Sequence, residues 1–182
     1  DRILVLDCLD VNVTAIATSR GIVIIDTGRS PGLMEAAARR IEREFGRRDV
    51  RYVINTHAHA DHSAGNQVFP EAFIVSHRNG PVSMRSRPAD TPGARRYARD
   101  QVEKARALLA AADPEEARRA RAEITARELM LADLHGRYTV TPATLTFSDR
   151  CSLDLGDVRL ELSACGRDQS DSDILVYVPG EK

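Results

Sequence analysis

The stretch His57-Ala58-His59-Ala60-Asp61-His62 puts four potential metal ligands within six residues, directly behind the apolar run Tyr52-Val53-Ile54. Three of the chain's five histidines lie here. Neutral imidazole is the commonest protein metal ligand, and His with Asp suits zinc or a neighbouring first-row metal. In an extended or loop conformation His57 and His59 point to the same side, because side chains alternate with period two, so both can reach one ion. If a helix starts after Ala60, Asp61 and His62 project towards a point further on. One loop then serves two adjacent metals, which in hydrolytic sites stand about 3.5–4 Å apart. Such a loop needs a rigid strand end to present it, and this constrains the fold more than any other feature of the chain.

Thr56-His57-Ala58-His59-Ala60-Asp61-His62-Ser63-Ala64-Gly65-Asn66 resembles the HxHxDH signature of the metallo-β-lactamase superfamily. Upstream, Gly21-Ile22-Val23-Ile24-Ile25-Asp26-Thr27-Gly28 is similar to that superfamily's strand ending in Asp-Thr-Gly. Downstream, Asp173-Ile174-Leu175-Val176-Tyr177-Val178-Pro179 resembles the strand after its third metal-binding motif. The resemblance implies an α/β fold, a metallo-β-lactamase-like αββα sandwich of which this chain is the N-terminal part. It implies a single domain over residues 1–182, C-terminally incomplete, with a helical-hairpin insertion at about 78–137.

The same resemblance implies roles. His57 and His59 would hold one metal, and Asp61 and His62 a second. Asp61 would also orient the attacking nucleophile. Asp26 would stand behind the ligands and support their loop; read without the resemblance, it is a turn former. Where the family has Gly-x-x-His-Ser/Thr-x-x-Asp, this chain reads Gly166-Arg167-Asp168-Gln169-Ser170-Asp171-Ser172-Asp173, so Gln169 stands in place of the third histidine as a weak or vestigial ligand. A neutral amide oxygen suits zinc less well than imidazole and shifts the preference towards harder ions. The expected cofactor is therefore zinc, up to two ions, with manganese or iron as alternatives. Asp168, Asp171 and Cys165 are the substitutes near Gln169. The family's second, β-rich half, which supplies a bridging carboxylate and a final histidine, is not in the chain.

Around these motifs the chain reads as short elements. Ile3–Leu9, Val11–Thr18 and Gly21–Asp26 are rich in β-branched residues, with Ser19-Arg20-Gly21 as a hairpin turn. Ile22–Ile25 is apolar at every position, as in a strand covered on both faces. Ser30-Pro31 opens a helix with a capping side chain and Pro at its first position. Leu33, Ala37, Ile41 and Phe45 form its buried stripe, and Gly46 ends it. Val50–Ile54 is the strand that delivers the histidines. A short helix is expected over Ser63–Val68 and a strand over Phe73–Val75. Thr91-Pro92 begins a helix to about Ala111. Asp113-Pro114-Glu115-Glu116 is a capping box for a second helix to about Leu134, with Ala120, Ile124, Leu131 and Leu134 as its apolar stripe. Thr144–Phe147, Cys151–Leu155, Val158–Ser163 and Ile174–Val178 complete the strands. His77 reads as a plain structural or surface histidine, with a place behind the metal ligands as the alternative, and His135 as a residue favoured at a helix C-terminus.

Composition narrows the function classes. The 182 residues suffice for one domain with a core, and a formal net charge of −1 selects neither polyanions nor membrane surfaces. Residues 85–127 hold 11 Lys/Arg against 7 Asp/Glu, but only Tyr97 offers a stacking ring, so a nucleic-acid partner is disfavoured. No apolar run approaches the roughly 20 residues that span a bilayer. Cys8, Cys151 and Cys165 are odd in number and scattered, unlike a disulfide framework. The compartment stays open between cytoplasm and periplasm, for a soluble chain that begins at Asp1 rather than Met. The expected partner is a small-molecule substrate, with a homo-oligomer or a separate C-terminal half to complete the fold.

The leading functional expectation is a metal-dependent hydrolase. A metal lowers the pKa of bound water, and the resulting hydroxide attacks an ester, thioester, lactam or phosphodiester-type substrate. The alternative is a catalytically impaired binding or scaffold protein, favoured by Gln169. Oxygen chemistry at iron is a minor third reading.

Overall fold

The computed structural model describes residues 1–109 and 113–180, so the helix end expected at Ala111 lies outside the described residues. A six-stranded sheet runs in sequence order through β1 (Ile3–Asp7), β2 (Asn12–Thr18), β3 (Gly21–Ile25), β4 (Val50–Ile54), β5 (Phe73–His77) and β6 (Leu145–Phe147). The first two pairings are antiparallel and the next three parallel. A second, antiparallel sheet holds β7 (Arg150–Asp154), β8 (Arg159–Gly166) and β9 (Asp173–Tyr177).

Alternation along β3 builds two cores from one strand. Ile22 and Ile24 turn to α1 (Pro31–Phe45) and join Met34, Ala37 and Ile41. Val23 turns the other way and meets Leu155, Leu160, Leu162 and Ile174 of the second sheet. Both faces are dry, which is why the strand reads as an unbroken apolar run. Each fully buried aliphatic side chain here contributes about 1.5–3 kcal/mol. The layers are thus helix, sheet and sheet, the arrangement expected from the αββα sandwich as far as the described chain extends.

The helix ends obey local rules. The Ser30 side chain accepts from the Leu33 amide, Pro31 takes the first helical position, and Gly46 closes α1 with φ 65°. The β1–β2 hairpin is less compliant. Its central pair, Leu9 and Asp10, has φ 59° and 57°, a turn geometry that favours Asn-Gly. The adjacent Cys8 thiol is pushed up to about 11 by burial, with Asp7 adding to it, and so lacks the thiolate character of a reactive cysteine.

Several sequence expectations need correction. The single helix expected over Ser63–Val68 is instead α2 (Ala60–Ser63) followed by a 3-10 turn at Asn66–Val68. Gly65 separates them because it must pass close to Thr27 and Met34. An unforeseen helix, α3 (Gly80–Ser86), precedes the hairpin of α4 (Pro92–Leu108) and α5 (Pro114–Leu134). In α5 the fully buried positions are Ala117, Ala120, Arg127, Met130, Asp133 and Leu134, whereas Ile124 and Leu131 are only half-buried. The apolar stripe gave way because Arg127 and Asp133 carry partners inward: Asp133 accepts from the Gly32 amide at 2.7 Å. The capping box at Asp113–Glu116 forms as read.

Asp173 ties down the loop that carries Gln169. Its carboxylate accepts from the Asp168 and Ser170 amides and from the Ser170 hydroxyl, at 2.9, 3.1 and 2.7 Å. Burial pushes its carboxyl up, but these donors outweigh that and hold it below the usual carboxylate range. A depressed pKa in the folded state stabilises above the unfolded value and is lost as pH falls through the folded one. Asp173→Asn is therefore expected to lower unfolding free energy at pH 7 by about 1–3 kcal/mol. Urea melts of both proteins should converge as pH drops below about 4; a gap that persists unchanged into acid would contradict this origin. For Gly65→Ala, the new Cβ would lie within clash distance of Thr27 O and 2.6 Å from Met34 Cβ. The urea midpoint should fall by the equivalent of about 1–3 kcal/mol.

Candidate metal centre

Two parallel strands deliver the site to one sheet edge. Asp26 follows directly on β3 and Asn55 on β4, and the Asp26 amide donates to Ile54 O at 2.8 Å. Asp26 is buried and has φ 59°, a left-handed conformation that a non-glycine residue adopts only when its surroundings enforce it. Here three donors do so. Its carboxylate accepts the Thr56 amide at 2.8 Å, the Thr56 hydroxyl at 2.7 Å and His62 Nδ1 at 2.7 Å. A polar clamp lies beneath. Asn55 and Asn66 exchange side-chain amide hydrogen bonds at 3.0 and 2.9 Å, Thr27 Oγ1 donates to Asn66 at 2.9 Å, and Asn55 Nδ2 donates to His62 O at 2.9 Å.

Above this base the three imidazoles lie side by side. His57 Nε2 and His59 Nδ1 are 3.1 Å apart, and the His57 and His62 ring centroids are 4.0 Å apart. His62 Nε2 stands 3.7 Å from Asp61 Oδ2. Burial and the neighbouring imidazoles of His62 and His59 lower the pKa of His57, against the pull of Asp26 and Asp173, which favours the neutral ring that ligation needs. For His62, burial opposes charge, but the Asp26 hydrogen bond and the carboxylates of Asp26 and Asp61 prevail and raise it above its ordinary value.

These donors can be tested against a cation. Two nitrogens on a tetrahedral zinc at 2.0–2.1 Å lie about 3.3 Å apart. The His57–His59 spacing of 3.1 Å is close to that separation. Among the described residues, no three His, Cys, Asp or Glu side chains converge on one metal position. The described residues thus offer a cation at most two neighbouring pairs, His57 with His59 and Asp61 with His62, and neither is a complete set of protein ligands.

Other residues singled out in the sequence scatter. Gln169 is exposed and lines a recess that also receives His59, and it makes no hydrogen bond to the histidines. Cys165 is exposed, and the Asp171 carboxylate takes the Ser83 hydroxyl at 3.0 Å. His77 is structural, bridging Ser148 O and the Asn79 amide, while His135 caps α5.

Residues that sequence reasoning missed join the site from outside the motif. Arg29 Nη2 reaches Asp61 at 3.4 Å and Asp10 at 3.8 Å. Asp10 in turn pairs with the buried Arg127 at 3.2 Å, and Arg127 with Glu123 at 2.9 Å. A ladder of alternating charge thus runs from α5 through the strained hairpin turn to the metal loop. The unusual turn sequence was the only signal that could have revealed it.

The comparisons with known proteins agree with this architecture. Residues 6–146 match the family model described as the metallo-beta-lactamase superfamily. No curated protein matches the chain in sequence. Among solved structures, the chain is similar to the stereoselective inverting sec-alkylsulfatase Pisa1 from Pseudomonas sp., at 17% identity and TM-score 0.62, covering 98% of this chain and 28% of that one. It is also similar to BJP-1, a subclass B3 metallo-β-lactamase of Bradyrhizobium japonicum, at 18% identity and TM-score 0.60, covering 100% and 55%. A B3 metallo-β-lactamase with an active-site glutamic acid aligns at 17% identity and TM-score 0.57, over 97% and 54%. The chain spans little more than half of the lactamases and under a third of the sulfatase. At these identities the likeness speaks for the fold.

Proposed function

The chain belongs to the metallo-β-lactamase superfamily, and from that premise we propose that it carries the metal-binding loop of a metal-dependent hydrolase. The observation that carries this reading is the paired presentation of His57 Nε2 and His59 Nδ1 at 3.1 Å, beside a His62 locked onto Asp26. The substrate is a small molecule with an ester, thioester, lactam or phosphodiester-type bond.

In this reading His57 and His59 hold one cation, and Asp61 and His62 a second. Zinc is the ion assigned, with manganese or iron as alternatives. When bound, such a cation polarises a substrate oxygen and brings the pKa of water from 15.7 to about 7. The chain's own groups prepare for that. Asp26 accepts a hydrogen bond from His62 Nδ1–H and leaves Nε2 facing forward, the arrangement by which a carboxylate fixes a ligand's tautomer. Arg29 fixes the direction of Asp61, whose carboxylate orients the attacking water by accepting its hydrogen bond. Next to Asp61 a cavity of about 330 Å³, lined by Ala89, Tyr97, Met130 and Leu134 together with Arg29 and Thr91, offers room for part of the substrate.

A second reading, a binding or scaffold protein with impaired catalysis, is favoured by Gln169 and by the lack of a third metal-binding side chain at either pair among the described residues. No helix among the described residues is long and apolar enough to cross a membrane.

Metal content after purification without chelator, followed by a panel of chromogenic ester, thioester, lactam and phosphodiester substrates, tests the proposal. Activity should appear with added metal and vanish on chelation. His59→Ala should lose about 100-fold or more in metal-dependent rate, on the scale expected when a ligand to a catalytic ion is removed. Hydrolysis that is unchanged in that variant would refute the assignment. Gln169→His should tighten zinc binding by about tenfold or more if position 169 faces the ion, since imidazole replaces a neutral amide; equilibrium dialysis reads this directly. An unchanged affinity would place Gln169 outside the coordination sphere.

A further inference from the structure

Residues 172–174 grip the chain on both sides of His57. The Ile174 amide donates to Thr56 O at 2.8 Å, and the Ala58 amide donates to the Ser172 hydroxyl at 3.1 Å. The first is a backbone bond of the kind that joins strands. In the second, a side-chain oxygen takes the place of a carbonyl. Ser172 is 1% exposed and Ala58 2%, so water does not serve either group in its stead.

The directions of these bonds follow from the Asp173 end. Its carboxylate can only accept, so the Ser170 hydroxyl gives its one proton there, at 2.7 Å. Towards Ser172, at 2.8 Å, Ser170 Oγ can then only accept, and Ser172 Oγ–H is the donor. The Ser172 amide also donates to Ser170 Oγ, at 3.0 Å, which uses its second lone pair. With its proton turned to Ser170, Ser172 Oγ presents a lone pair to the Ala58 N–H. Every proton in this relay sits on a hydroxyl or a backbone amide, and none on an imidazole.

The gap between the His57 and His59 rings depends on the backbone torsions on either side of Ala58. The chain after His59 is held by its own turn, where His59 O accepts from the His62 amide and from the Ser63 hydroxyl, each at 3.0 Å. The peptide between His57 and Ala58 is held from across the molecule by Ser172. Removing that hydroxyl would leave the buried Ala58 N–H without its acceptor.

We propose that Ser172 is a positioning residue for the histidine pair, with Ser170 and Asp173 orienting its hydroxyl. The loop that carries Gln169 thus acts on the histidines through their backbone, while Gln169 itself is exposed. The ring geometry belongs to the metal-free chain; its effect on cation binding rests on the metal-binding reading given above.

The test is amide hydrogen exchange and imidazole NMR on the chelator-treated chain, followed by equilibrium dialysis of the same samples against zinc. Ser172→Ala removes the acceptor. Ser170→Ala, at a half-buried position, removes only the group that orients it. Ser172→Thr keeps the hydroxyl. Ile41→Val trims the core towards the C-terminal end of α1 and controls for loss of stability alone. In Ser172→Ala the Ala58 amide is expected to exchange about tenfold or more faster, the scale of one buried hydrogen bond, with the His57 and His59 ring signals displaced. The zinc dissociation constant should rise about tenfold or more, as when a group supporting a metal ligand is lost. Ser170→Ala should fall between that variant and the parent, and Ser172→Thr should stay near the parent. Ile41→Val should move neither the ring signals nor zinc affinity. Ring signals unchanged in both alanine variants would overturn the proposal, as would equal changes in Ile41→Val. Should Ser172→Ala fail to fold, Ser170→Ala decides by the same signals. If the parent takes up no zinc, the metal-binding reading falls, and the ring signals alone uphold or overturn the positioning role.

Discussion

The Asp26 carboxylate is the point at which sheet, loop and imidazoles meet. It accepts two donors from Thr56 and one from His62, and its own amide is tied to Ile54 at the end of the neighbouring strand. This holds a non-glycine residue at φ 59°, a conformation that costs of order 1–3 kcal/mol and persists only where the surroundings compensate. The compensation is also what positions the candidate ligands. The bonds that offset the strain fix the Thr56 hydroxyl, which stands 3.2 Å from His57 Nδ1, and they fix His62 directly. Relaxing Asp26 would thus disorder two candidate metal pairs at once without touching a ligand.

The elements legible in the sequence were those set by local physics. Ser30-Pro31, Gly46 and the Asp113–Glu116 capping box acted where they were expected, because a cap needs only its own turn. The apolar run of β3 announced a strand covered on both faces. What stayed hidden depended on partners distant in the chain. Burial of Arg127 and Asp133 within α5 could not be read from helical spacing, since their counter-groups are Asp10 and the Gly32 amide. The break between α2 and the following turn comes from Gly65 pressing against Thr27 and Met34, a contact across roughly thirty to forty positions.

The candidate site divides the same way. Its histidines and Asp61 are adjacent in sequence and were read directly, with the alternation that brings His57 and His59 to one side. Arg29, Asn55 and Asn66 carry no local mark, because each matters only through geometry set by other elements. Gln169 was recognised by its place between Gly166 and Asp173, and that loop is ordered by hydrogen bonds to Asp173 rather than by contact with the histidines.

The hairpin turn at Leu9 and Asp10 has an implication for how this chain can be altered. Both residues sit in a left-handed conformation that Asn-Gly would adopt with less strain, so a screen for thermal robustness alone would favour that exchange. Asp10, however, is the rung joining Arg127 to Arg29 and, through it, to Asp61. Its loss would leave a buried guanidinium short of a counter-charge and free Arg29 to swing. At this turn, selection for a sturdier molecule and selection for an ordered histidine loop pull in opposite directions.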